Sequence, residues 1–261
     1  MPHGYPRRIV CLTEETTEWL YALGEAERIV GISAYTERPP QAKAEKPVVS
    51  AFIGGHVGKI KALKPDLVIG FSDVQATLAR DLIAANLPVL ITNQRSVEDI
   101  LDVLGMLGRL VGATARAQSL IDGYRRRIDT LRAANEGRYR PKVYFEEWDE
   151  PMISGIQWVS ELIEIAGGRD IFADRAKGKS SQERGVKPEE VMARGPELMI
   201  GCWCGKPLDR NAILARPGFA DLPALRHRQL HEVDPAIILQ PGPACLTDGL
   251  DTLARLVEGV R

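Results

Sequence analysis

Three groups of residues in this chain have types and spacings that could do chemistry: a run of acids; cysteines and histidines that could hold a metal; and a set of aromatic and polar side chains. Glu146, Glu147 and Asp149 resemble a carboxylate cluster for acid–base work, but strand alternation sends Glu146 and Glu147 to opposite faces. Cys202 and Cys204 flank Trp203 and could offer thiolates to a metal, yet no second pair accompanies them. His3, His56, His227 and His231 are scattered; the last two are four apart, but 226–233 reads as a turn and a strand, which breaks the helical geometry of a ligand pair. The third group lies at the carboxyl ends of the strands expected below, where open parallel sheets bind their ligands. It contains Thr13, Tyr35, Phe52, Phe71, Asn93, Trp148, Trp203 and Gln240. Aromatics mixed with amides suit a large, partly flat ligand held by stacking and a few directed hydrogen bonds. Glu15, Arg95, Trp158 and Arg184 complete the candidate ligand-binding set.

Familiar catalytic patterns are absent. Ser154 lacks the Gly-x-Ser-x-Gly elbow, and the glycine loop at 54–58 lacks the lysine of a phosphate loop. The expectation is therefore a binding protein with no intrinsic cofactor and no metal site. The competing class is a chelatase-like or hydrolytic enzyme using Glu147 and Asp149.

The elements that must position these residues alternate. Arg8-Ile9-Val10-Cys11-Leu12, 29–32, 67–71 and 89–91 read as buried strands, with helices between them. After residue 139 the order restarts, with strands at 142–146, before Cys202 and at 230–233. Such alternation predicts parallel sheets with helices on both faces. Between the two series, Ala117, Ile121, Tyr124, Ile128 and Leu131 recur at helical spacing, so 114–137 reads as one long amphipathic helix. The two sides also look alike: Ile60-Lys61-Ala62-Leu63-Lys64-Pro65-Asp66-Leu67-Val68-Ile69-Gly70 is echoed by Val191-Met192-Ala193-Arg194-Gly195-Pro196-Glu197-Leu198-Met199-Ile200-Gly201. The expected fold is α/β, with two Rossmann-like lobes joined by a single long α-helix and a ligand cleft between the lobes. The lobes are placed at 1–112 and 139–261, and the helix at 113–138.

The totals set the class. With 261 residues and a net charge of −1, the chain has no basic excess to draw nucleic acid or an anionic membrane. No apolar run approaches the ~20 residues that span a bilayer, so no membrane insertion is expected. The opening residues show no secretory signal, which reads as cytoplasmic, or as periplasmic if the chain is a trimmed precursor.

Several segments together resemble the helical-backbone class of ABC-transporter substrate-binding proteins, most of all its cobalamin and iron-siderophore branch. They include Arg8 to Leu12 with Thr17-Glu18 and Ala22-Leu23-Gly24, Ala62 to Ile69, Phe145-Glu146-Glu147-Trp148, and Trp158 to Leu162. Ala166-Gly167-Gly168-Arg169-Asp170-Ile171-Phe172, Pro217-Gly218-Phe219 and Gln240-Pro241-Gly242-Pro243 continue the likeness over essentially the whole chain. The resemblance implies a monomer binding a corrinoid such as cobalamin, or alternatively a ferric siderophore or haem, between lobes that move little. It implies delivery to an ABC permease, although a cytoplasmic corrinoid-binding variant fits the same segments. Docking in the family uses one exposed glutamate per lobe; Glu189 matches one, while the other position falls near Gln75-Ala76, with no acid. Where the family carries a tryptophan before the second repeat copy, this chain reads Ser181-Gln182-Glu183-Arg184.

Overall fold

The computed structural model of the protein describes residues 4–261, so the His3 considered above lies outside the described residues. The chain divides into two compact units. The first comprises the described chain up to Gln94 together with 98–123 and 240–243; the second comprises 95–97, 124–239 and 244–261. The division falls inside the long helix, after Gly123, and the short segments 95–97 and 240–243 belong to the unit other than that of their chain neighbours.

In the first unit, β1 (Ile9–Cys11), β2 (Ile29–Ser33), β3 (Val48–Ser50), β4 (Leu67–Phe71) and β5 (Val89–Thr92) form one parallel sheet in the order β3-β2-β1-β4-β5. The order reverses between β1 and β4, which makes their carboxyl ends the switch point of the sheet. Val10, Leu12, Val49, Ile60, Val68, Leu78 and Leu82 form a core cluster in this unit. The helix Glu14–Ala22 follows β1 and buries Trp19 and Leu20, and the Trp19 indole N–H donates to the Leu104 carbonyl at 2.9 Å.

The second unit is built on β6 (Lys142–Asp149), β7 (Met152–Ser154), β8 (Arg169–Asp170), β9 (Leu198–Gly201) and β10 (Leu230–Glu232). The sheet order is β10-β9-β6-β7, with β8 also pairing with β6. All the pairings are parallel except β6 with β7, a hairpin edge. The long helix spans Thr114–Asn135, and Ala117, Ile121 and Ile128 of its predicted stripe are buried.

The internal repeat is physical as well as textual. Helix Val57–Ala62 leads to β4 as helix Pro188–Arg194 leads to β9. Between helix and strand, Lys64 (φ 48°) and Gly195 (φ 58°) occupy matching left-handed positions. Glycine adopts that backbone freely, whereas a lysine there is strained by about 1 kcal/mol or more. The acid after each proline does the same work: Asp66 accepts the Arg7 and Arg8 N–H groups before β1, and Glu197 accepts the Lys142 N–H at the start of β6.

Candidate ligand-binding site

The carboxyl ends of the first sheet carry an exposed aromatic rim above buried polar groups. Tyr35 is 48% exposed and meets Phe52 edge-to-face, with ring centroids 6.3 Å apart and planes at 77°. Beneath this rim, Gln75 is fully buried and stitches three segments together. Its Nε2 donates to the Leu12 and Phe52 carbonyls, and its Oε1 accepts the Phe71 N–H. A buried amide that satisfies three backbone groups is a fixed part of the scaffold. Phe71, expected to face a ligand, is only 7% exposed and sits below the surface at the end of β4.

Helix Glu14–Ala22 opens with two buried acids. The Thr13 hydroxyl donates to Glu15 Oε1 at 2.7 Å, and Gln240 Nε2 donates to Glu14 Oε1 at 3.4 Å. The turn that follows Gln240 also touches Glu15, because a Cβ added at Gly242 would lie 2.5 Å from Glu15 Cβ. Gln94 is buried at the end of β5 and donates to the Pro241 carbonyl at 3.1 Å. Burial, with the charges of Glu15 and Glu37 nearby, pushes Glu14 up to about 8. Burial pushes Glu15 up to about 7 against the lowering effect of the Thr13 hydroxyl. Near neutral pH this helix start therefore carries protonated or half-protonated carboxyls.

The second unit shows which expected ligand residues are structural. Trp203 is 3% exposed; its indole N–H donates to Glu146 Oε1 at 3.1 Å. The same buried carboxylate accepts the Tyr144 hydroxyl at 3.1 Å and the Arg216 guanidinium at 2.5 and 3.0 Å. Trp158 is likewise buried, donating to the Ile238 carbonyl at 2.9 Å. Arg184 forks onto Glu147 at 2.5 and 2.8 Å and donates to the Ser154 carbonyl at 2.6 Å. Trp158, Trp203 and Arg184 are thus buried, with their polar atoms engaged by the framework. A tryptophan or arginine after a strand reads the same in sequence whether it faces in or out.

Trp148 is half-buried, with its indole N–H on the Glu150 carbonyl. Lys206, which the sequence reading missed, places its Nζ 4.5 Å from the Trp148 ring centre and 4.8 Å from that of Trp203. It also bonds Asp149 at 2.6 Å. Burial raises the Asp149 carboxyl, but the hydrogen bond and charge of Lys206 together with backbone N–H groups outweigh it and hold the group below its usual range. Glu147 and Asp149, the acids of the enzyme alternative, are thereby both engaged in ion pairs. Arg95 is half-buried among residues of the second unit. Glu189 is exposed in the first turn of helix Pro188–Arg194.

Among the described residues, no group of three or more His, Cys, Asp or Glu side chains is placed to hold a metal ion. His56 instead caps helix Val57–Ala62, its Nδ1 accepting the Lys59 N–H. No helix among the described residues is long and apolar enough to cross a membrane.

The periplasmic binding protein family model matches residues 9–237. The chain belongs to that family. A vitamin B12-binding protein of Yersinia pestis (strain Pestoides F) is 27% identical over 250 residues, covering 94% of this chain and 87% of the relative. Among solved structures, the periplasmic heme-binding protein of Roseiflexus sp. RS-1 is 25% identical with a TM-score of 0.81, covering 99% of this chain and 100% of that one. The periplasmic vitamin B12 binding protein of Vibrio cholerae shares the fold at 22% identity and a TM-score of 0.77, covering 98% of each chain. These relatives are named as binding proteins, and the α/β architecture with two sheets is that of their class.

Proposed function

We propose that the protein is a solute-binding protein for a metal chelate, that the chelate is a corrinoid, and that it hands this ligand to an ABC permease as a monomer without catalysing a reaction. The observation that carries the reading is the vitamin B12-binding relative, which aligns along 94% of this chain. The exposed Tyr35–Phe52 pair and the half-buried Trp148 supply flat apolar surface at strand carboxyl ends, as a macrocycle requires. Arg95, Gln240 and Glu15 supply polar contacts around it. The name of the Roseiflexus structure favours haem as the second candidate ligand.

Binding is tested by titrating the protein with cobalamin, cobinamide, hemin and a ferric hydroxamate, following absorbance and tryptophan quenching. Tyr35→Ala and Trp148→Ala are each expected to weaken the corrinoid by about 1–3 kcal/mol, the usual range for an aromatic anchor. Unchanged affinity in both variants would count against the aromatic surface as the binding face.

Glu189 is the proposed permease contact in the second unit. An exposed charge contributes little to folding, so Glu189→Lys is expected to leave the melting temperature unchanged. Ligand uptake by vesicles carrying the cognate permease should fall at least several-fold. Intact uptake would remove the docking role. The periplasmic names of the relatives support delivery on the outer side of the cytoplasmic membrane, which cell fractionation checks.

A further inference from the structure

The first unit concentrates unpaired buried oxygens where a ligand would lie. Among the described residues, its buried side-chain atoms without a hydrogen-bond partner are Glu14 Oε2, Glu15 Oε2, Thr36 Oγ1, Ser50 Oγ and Gln94 Oε1. Each sits on or just after a strand: Glu14 and Glu15 after β1, Thr36 after β2, Ser50 ending β3, Gln94 after β5. An unpaired buried acceptor is costly, and native proteins tolerate few of them. Their clustering at the carboxyl edge of one sheet, around its switch point, matches where such sheets bind ligands.

Three of these side chains are also pre-positioned. Glu14, Glu15 and Gln94 are each anchored at one end, by Gln240, Thr13 and Pro241 respectively, which leaves Glu14 Oε2, Glu15 Oε2 and Gln94 Oε1 open. The turn 240–242 touches all three. The open atoms are thus an acceptor on Gln94 and, while the acids are neutral, O–H donors on Glu14 and Glu15. A primary carboxamide offers both complements: its N–H satisfies the Gln94 oxygen while its own oxygen accepts the O–H of a neutral carboxyl. A ligand carboxylate has no donor for Gln94. Corrinoids carry carboxamides around the ring, whereas haem carries propionates.

Resting on the corrinoid reading above, we infer that Glu14, Glu15 and Gln94 form a subsite that reads peripheral carboxamides and selects a corrinoid over a carboxylate-bearing macrocycle. The subsite is pH-dependent. Glu14 faces Glu15, Glu37 and Lys43, while Glu15 faces Thr13, Glu18 and the buried Cys11. Glu18 is itself paired with Arg38. Both acids are neutral at low pH, and their O–H donors are lost as they ionise.

The test compares cobinamide, which bears carboxamides, with cobyrinic acid, in which these are carboxylates, at about pH 6 and about pH 9, with hemin as a third probe. Cobinamide is expected to bind at least about tenfold tighter than cobyrinic acid at the lower pH and to weaken about tenfold at the higher. The double variant Glu14→Gln with Glu15→Gln keeps a carbonyl and a donor at each position. Its cobinamide affinity should no longer depend on pH, a result a purely structural role would not give. Gln94→Leu, which leaves both acids in place, should narrow the discrimination, with circular dichroism confirming its fold. Equal affinity for cobinamide and cobyrinic acid at both pH values would overturn the subsite and leave the corrinoid reading standing. Hemin binding without either corrinoid, or no binding of any probe, would overturn both.

Discussion

Arg216→Met is expected to destabilise the protein by about 3–5 kcal/mol, the range for removing one partner of a buried ion pair. Glu146 is 1% exposed and lies in the interior of the second unit. Arg216 supplies its only counter-charge by direct contact among the described residues. Without it, the Tyr144 hydroxyl and the Trp203 indole remain as two neutral donors to a full negative charge. The pairing is a specificity device more than a source of net stability, since two desolvated charges return little beyond their desolvation cost. The double variant Glu146→Gln with Arg216→Met should therefore recover much of the loss, which a double-mutant cycle by denaturant unfolding measures. A loss below about 1 kcal/mol for Arg216→Met would show that the pair is solvated.

Stability is expected to fall as pH rises through about 7 to about 8, the range to which burial pushes Glu15 and Glu14. Both groups have folded-state values above the unfolded value of 4.5, so the folded chain holds their protons more tightly. Their contribution is fully present below the unfolded value and is lost as pH rises through the folded ones. The melting temperature should therefore be lower at about pH 9 than at about pH 5. Glu14→Gln with Glu15→Gln should flatten the profile and stabilise the protein on its alkaline side. An unchanged profile would mean that these carboxyls titrate as solvated groups.

The architecture was readable because parallel strands buried on both faces leave continuous apolar runs, as in Ile9-Val10-Cys11 and Leu198-Met199-Ile200. The repeat was readable because the turn before each strand needs the same features: a left-handed residue, a proline and an acid that receives the neighbouring strand's N–H groups. Side-chain direction at strand ends was not readable. Trp203 follows β9, and Trp148 lies in β6 where its pairing with β7 shifts register after Glu146, so alternation fixed neither face and the two looked equivalent although only Trp203 is fully buried. Glu14 escaped notice because acids at a helix start are ordinary partners of the helix dipole. Its burial depends on Gln240, more than 200 residues away. Lys206 was missed for a similar reason: its place against Trp148 and Asp149 joins the end of β6 to the segment after β9, which only the folded sheet brings together.

The central claim is that this member of the periplasmic binding protein family binds a corrinoid. Equilibrium titration of the purified protein with cobinamide near neutral pH tests it most directly, read by quenching of tryptophan fluorescence and a shift in corrin absorbance. The account predicts one saturable site with a dissociation constant in the micromolar range or tighter, equivalent to about 8 kcal/mol or more, and weaker binding of hemin. No saturable change with cobinamide or cobalamin, alongside tight binding of hemin or a ferric siderophore, would contradict it.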